Sequence, residues 1–144
     1  MTLITALALL INLNRSTPLR ISPTLTEVAQ IRAAQAYLNF SHDGFAQPFD
    51  QTGYYGHVGE NLAEGFNVSS TLFRAVLIDD AFLNSPEHRQ NLLNPSWKDV
   101  GIGVYKNVVA VEFGYRNKPT ISEQSIRNAC GTNLTCWSIR EAKN

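Results

Sequence analysis

The sequence has no excess charge of either sign. Twelve Lys and Arg residues offset twelve Asp and Glu residues, and no run of like charge occurs. A nucleic-acid partner is therefore not expected, because a phosphate backbone calls for a basic stripe. Long apolar runs are also missing. The opening MTLITALALLINLNRS is apolar but too short to cross a bilayer, so no transmembrane segment is expected. It has neither a basic leading region nor a small-residue cleavage site, and an exported protein would need a signal that this stretch does not supply. Leu3, Ile4, Leu7, Leu10 and Ile11 instead fall at helical spacing and predict an amphipathic first helix. Cysteine is down to Cys130 and Cys136, close together in the polar tail ACGTNLTCW. Such a pair predicts a small disulfide loop and an oxidising compartment, with two free thiols as the alternative. With no histidine or third cysteine beside them, a zinc site there is not expected.

What is present suffices for one domain with its own core: 144 residues, 44% of them apolar. SPTLTEVAQIRAAQAYLNF opens with Ser22 as a helix N-cap and Pro23 at the first helical position. Its apolar positions cover most of the circumference, which predicts a largely buried helix. Residues 41–67, rich in Gly and aromatics, predict loops, short turns and one strand. A third helix is expected from about Ser69 to Asn84, then a short one with Ser85 as N-cap, Pro86 at its start and Pro95 as its stop. DVGIGVYKNVVAVEFGYR reads as a hairpin turning at Lys106 and Asn107, with Val109, Val111 and Phe113 on a buried face and Ala110 and Glu112 on a less buried one. Three or four helices around a small antiparallel sheet make an α+β layer architecture.

Histidine is scarce, limited to His42, His57 and His88. His42 follows the C-terminus of a long helix, where unpaired carbonyls favour a cation. His88 falls at the third position of a short helix, where the partial positive charge favours a neutral imidazole, the form that ligates metal. Glu60 stands between them beside Gly59 and Asn61, in a segment with little need of a carboxylate for solubility. Two neutral histidines and a carboxylate can make a Zn²⁺ shell with an open position, and His57, three residues before Glu60, is a further partner. Unrelated surface or packing positions are the blander alternative for the same residues.

Four blocks, INLNRSTPLRISPTLTEVAQIRAAQAYLNFSHDGF, GYYGHVGENLAEGF, FLNSPEHRQNLLNPSWKDVGIGVY and VVAVEFG, follow in this order over about residues 3–115. Together they resemble the CAP superfamily (cysteine-rich secretory, antigen 5 and pathogenesis-related 1 proteins; SCP domains), in its short bacterial-type form. The resemblance implies an α-β-α sandwich, expected over residues 1–118; residues 119–144 are expected, apart from the resemblance, as an extension packed on the same domain and carrying the Cys130–Cys136 disulfide. It also implies a central groove with His42, His88 and Glu60 as metal ligands, Zn²⁺ or another divalent cation as cofactor, and an extracellular or cell-envelope location. The usual second acid of the groove is replaced by Ser85, with Glu87 as a neighbouring substitute, and His57, Tyr54, Arg89 and Asn91 are candidates for its lining. The leading expectation is a secreted, monomeric domain, non-catalytic or weakly catalytic, that binds a divalent cation and a small molecule, lipid, peptide or envelope component in this groove. A metal-dependent hydrolase of envelope polymers or peptides with Glu60 as ligand or general base is the alternative, and an inactive structural or adhesion domain the third reading.

Overall fold

The structure, a computed structural model, describes residues 1–116; Cys130, Cys136 and the expected extension over 119–144 lie outside the described residues. Helix α1 (Leu3–Leu13) is followed by the short strand β1 (Arg20–Ile21), α2 (Pro23–Leu38), α3 (Ala46–Thr52), β2 (Gly56–Glu64), α4 (Thr71–Leu83), α5 (Pro86–Leu93), β3 (Asp99–Tyr105) and β4 (Val108–Arg116). The sheet order is β1-β3-β4-β2, with β1 parallel to β3 and the other pairings antiparallel. The sheet is thus mixed rather than purely antiparallel.

Local chemistry accounts for the element ends. Ser22 caps α2 through its hydroxyl, which accepts from the Leu25 amide at 3.2 Å, and Pro23 takes the first position. Ser70 does the same for α4 through Phe73. Ser85 occupies the N-cap of α5, but its side chain makes no capping hydrogen bond. The β3–β4 hairpin turns at Lys106, which takes the left-handed conformation (φ 53°) that a two-residue hairpin turn requires.

Strand alternation sends side chains to two separate cores. Val100, Ile102, Val109, Val111 and Phe113 pack with α1, α4 and Trp97, whereas Leu62, Val108 and Ala110 pack under Ala33 and Ala36 of α2. Helix α2 lies directly on β3, because Gly101 and Gly103 present no side chain to it. A Cβ on Gly103 would stand 2.3 Å from the Ala29 carbonyl carbon. Two helical layers therefore enclose the sheet, an α-β-α sandwich.

Several expectations need correcting. The second face of β4 is not the wetter one: α2 covers it, and Glu112 is fully buried there. Helix α2 is buried on one side only, and Tyr37, Leu38 and Phe40 at its end are exposed. Residues 41–67 contain a helix, α3, that the glycines and aromatics conceal. Tyr54 does not line a surface site. It is buried with Leu25, Val28 and Phe49, its hydroxyl donates to Asp99 at 2.9 Å, and burial first, then that hydrogen bond, push its pKa well above the ordinary phenol value.

A candidate site across the edge strand

Strand β2 is the outer strand, and its successive residues face opposite helical layers. Glu60 points to the α2 side and is buried. Its carboxylate is held in a fork by Arg32, with Nε donating to Oε2 at 2.7 Å and Nη2 to Oε1 at 2.9 Å. The same guanidinium donates to Gln35 Oε1 at 2.8 Å and to the Ser41 carbonyl at 2.8 Å, so it also fixes the segment that carries His42. His42 Nδ1 lies 2.9 Å from Glu60 Oε1, and its side chain stays 56% exposed. This contact assigns Nδ1 to Glu60 and leaves Nε2 as the nitrogen open to a ligand.

Asn61, the next residue, points to the other layer. Its Nδ2 donates to the His88 carbonyl at 3.0 Å, and Asn91 Nδ2 donates to Asn61 Oδ1 at 3.2 Å and to the Glu60 carbonyl at 3.3 Å. These bonds tie α5 to β2, so the segments that carry His42 and His88 are both anchored on this edge strand. The His88 ring is half-buried and meets Phe82 edge-on at 5.3 Å. Burial first, then the charge of His42, lower its pKa, which favours the neutral ring.

Two members of this cluster escaped sequence reading. Arg32 lies on the buried stripe of α2 with Val28 and Ala36, one turn from each. An arginine inside an apolar stripe was the available signal. Glu112 is the direct cross-strand partner of Glu60 and is wholly buried. Neither of its oxygens receives a hydrogen bond from a donor group. Desolvation, then the adjoining Glu60 carboxylate, raise its pKa well above the usual carboxylate range, which favours the protonated, neutral form. Burial also opposes ionisation of Glu60, but the hydrogen bonds from Arg32, Glu112 and His42 outweigh it and lower its pKa. With Glu112 protonated and Glu60 ionised, the directions these shifts favour, the buried cluster of Arg32, Glu60 and Glu112 carries no net charge.

The other sequence candidates are dispersed. Ser85 is the cap position of α5 and Glu87 is exposed in its first turn. Arg89 is exposed and reaches only the Leu83 carbonyl, at 3.5 Å. His57 is exposed and stacks on Tyr115, with ring centroids 6.1 Å apart. Among the described residues no three His, Cys, Asp or Glu side chains converge as a metal-binding group. Glu60, already engaged by three donors, stands behind His42.

The cysteine-rich secretory protein family, CAP, matches residues 12–109, more than half of the chain. The chain belongs to the CAP family. Among relatives of this CAP domain, YkwD of Bacillus subtilis (strain 168), described as an uncharacterized protein, is 29% identical over 94 residues, covering 60% of this chain and 34% of its own length. An extracellular protein containing an SCP domain from Bacillus anthracis str. Ames superposes with a TM-score of 0.68 at 25% identity, over 79% of this chain and 40% of that one. A cysteine-rich secretory protein from Staphylococcus aureus subsp. aureus Mu50 shares the fold with a TM-score of 0.62 at 22% identity, over 78% of this chain and 38% of that one. The CAP domain thus spans little more than a third of the length of these relatives. Among its described residues no helix is long and apolar enough to cross a membrane.

Proposed function

We propose that this CAP domain works outside the cell as a binding domain, taking its ligand across strand β2 between His42 and His88. The two imidazoles would share a divalent cation such as Zn²⁺, and a bound peptide, lipid headgroup or envelope component would complete its coordination. The carrying observation is the Glu60 Oε1 contact to His42 Nδ1 at 2.9 Å, with Glu60 locked in turn by Arg32. A metal-ligating histidine commonly gives its second nitrogen to a carboxylate, which fixes ring and tautomer. Two imidazoles suit zinc, and the lowered pKa of His88 keeps that ring available as a lone-pair donor. The extracellular placement rests on the family and on the extracellular SCP protein among its neighbours.

The hydrolase reading has less support. Glu60 has a lowered pKa and is enclosed by Arg32, which makes it a weak general base. The test is zinc titration followed by thermal melting and calorimetry. Zinc is expected to raise the melting temperature of the wild type, and His42→Ala combined with His88→Ala to abolish the rise. Glu60→Gln should weaken zinc binding by about tenfold, the usual effect of losing an outer-shell partner. No shift of the wild type at saturating zinc would overturn the cation reading.

A further inference from the structure

A second depression, of about 480 Å³, is lined by His57, Asn94, Ser96, Trp97, Lys98 and Tyr115, and none of His42, Glu60 or His88 belongs to it. That volume is within the range of small-molecule sites. The floor is Trp97, nearly buried and stacked on Phe113 with centroids 6.1 Å apart and an interplanar angle of 13°. One wall is the stacked pair of His57 and Tyr115, cross-strand neighbours on β2 and β4. Lys98 supplies a cation, and among the described residues no carboxylate lines the depression. Among the described residues, no ion pair or hydrogen bond engages the side-chain polar groups of His57, Lys98, Ser96 or Tyr115. A depression of about 390 Å³ elsewhere differs: Arg20 and Arg116 stand there beside Asp99, and Arg20 is already paired with it at 3.0 Å.

We propose that the Trp97 depression binds a sugar ring carrying a carboxylate. The apolar C–H face of such a ring suits the surface offered by His57, Tyr115 and Trp97. A carboxylate answers the unpaired Lys98 ammonium, which acts on it as a point charge. The Asn94 Oδ1 already accepts from the Ser96 amide at 2.9 Å, which leaves its Nδ2 as a donor, and the hydroxyls of Ser96 and Tyr115 both donate and accept, the set that ring hydroxyls need. Because neutral hydrogen-bonding groups outnumber the cation, a polyhydroxylated acid fits better than a plain aromatic acid.

Saturation-transfer NMR and tryptophan fluorescence, read in a Trp137→Phe background so that Trp97 alone reports, test this, with methyl glucuronide, methyl glucoside and benzoate as probes. Methyl glucuronide is expected to bind in roughly the millimolar range, and methyl glucoside about tenfold more weakly. Lys98→Gln should erase that difference, and Tyr115→Ala should weaken both sugars. Lys98 and Tyr115 are exposed enough for these variants to keep the fold, which circular dichroism and melting check. His42→Ala with His88→Ala should leave sugar binding unchanged, so loss of the cation site and loss of this site are told apart. No transfer to methyl glucuronide, equal binding of the neutral sugar, benzoate matching the glucuronide, or indifference to Lys98→Gln would each overturn the proposal.

Discussion

The Arg32–Glu60 pair is expected to be the most costly single interaction in the domain to break. Both side chains are almost fully buried, at 1% and 2% exposure, and the fork is short on both arms. Replacing Arg32 by Met leaves Glu60 charged without its main partner and frees the Gln35 and Ser41 acceptors as well. Removing one member of a buried pair costs about 3–5 kcal/mol. For a chain of this length, that corresponds to roughly 10–20 °C in melting temperature. The contrasting pair Arg20–Asp99 has an arginine 79% exposed, and Arg20→Met should cost no more than about 1 kcal/mol. Urea unfolding of Arg32→Met, Glu60→Gln and the double variant completes the test. The double variant should lose well under the sum of the single losses, because it buries no unpaired charge. The Arg32→Met loss should also shrink in acid, where Glu60 can take up a proton. Additivity of the two changes within about 0.5 kcal/mol would refute the coupling.

Glu112 and Glu60 pull stability in opposite directions with pH. The depressed Glu60 group stabilises above its unfolded value of about 4.3, and that contribution is lost as pH falls through its folded pKa. The raised Glu112 group stabilises most below its unfolded value, and its contribution is lost as pH rises through its folded pKa. Glu112→Gln, neutral at every pH, should therefore flatten the decline on the alkaline side; parallel wild-type and variant profiles from neutral pH upward would exclude a neutral Glu112. Gly103→Ala forces α2 off β3 and should cost about 1–3 kcal/mol or more by urea unfolding, whereas a neutral outcome would mean the contact is slack. Ser22→Ala should cost about 1 kcal/mol through the lost cap of α2, while Ser85→Ala, which breaks no capping bond, should stay within about 0.5 kcal/mol in the same assay.

Much of the framework was legible because its signals are local. Ser-Pro pairs marked the starts of α2 and α5, and the Lys106–Asn107 turn marked the hairpin. His42 and His88 were placed correctly at a helix end and a helix start. Helix α3 was missed because its start at Phe45 has no side-chain cap, and its seven residues are too few to show a period. Both faces of β4 were not recognised as buried, since alternation reports side-chain direction but not what covers each side.

The sequence by itself determined the order of α1, α2, α4, α5 and the β3–β4 hairpin, the Ser-Pro starts of α2 and α5, the absence of a run of like charge, and the ordered blocks of the CAP family. These depend on neighbours along the chain. Only the tertiary structure decided what the polar residues do. Glu60 and Glu112 are far apart in sequence, yet the register of β2 and β4 sets them side by side, and Arg32 descends on them from α2. That meeting pushes the pKa of Glu60 down and that of Glu112 up, and it sets Glu60 against His42. Protonation and hydrogen bonding in a buried cluster depend on the groups enclosing it, and those come together only when sheet and helix pack.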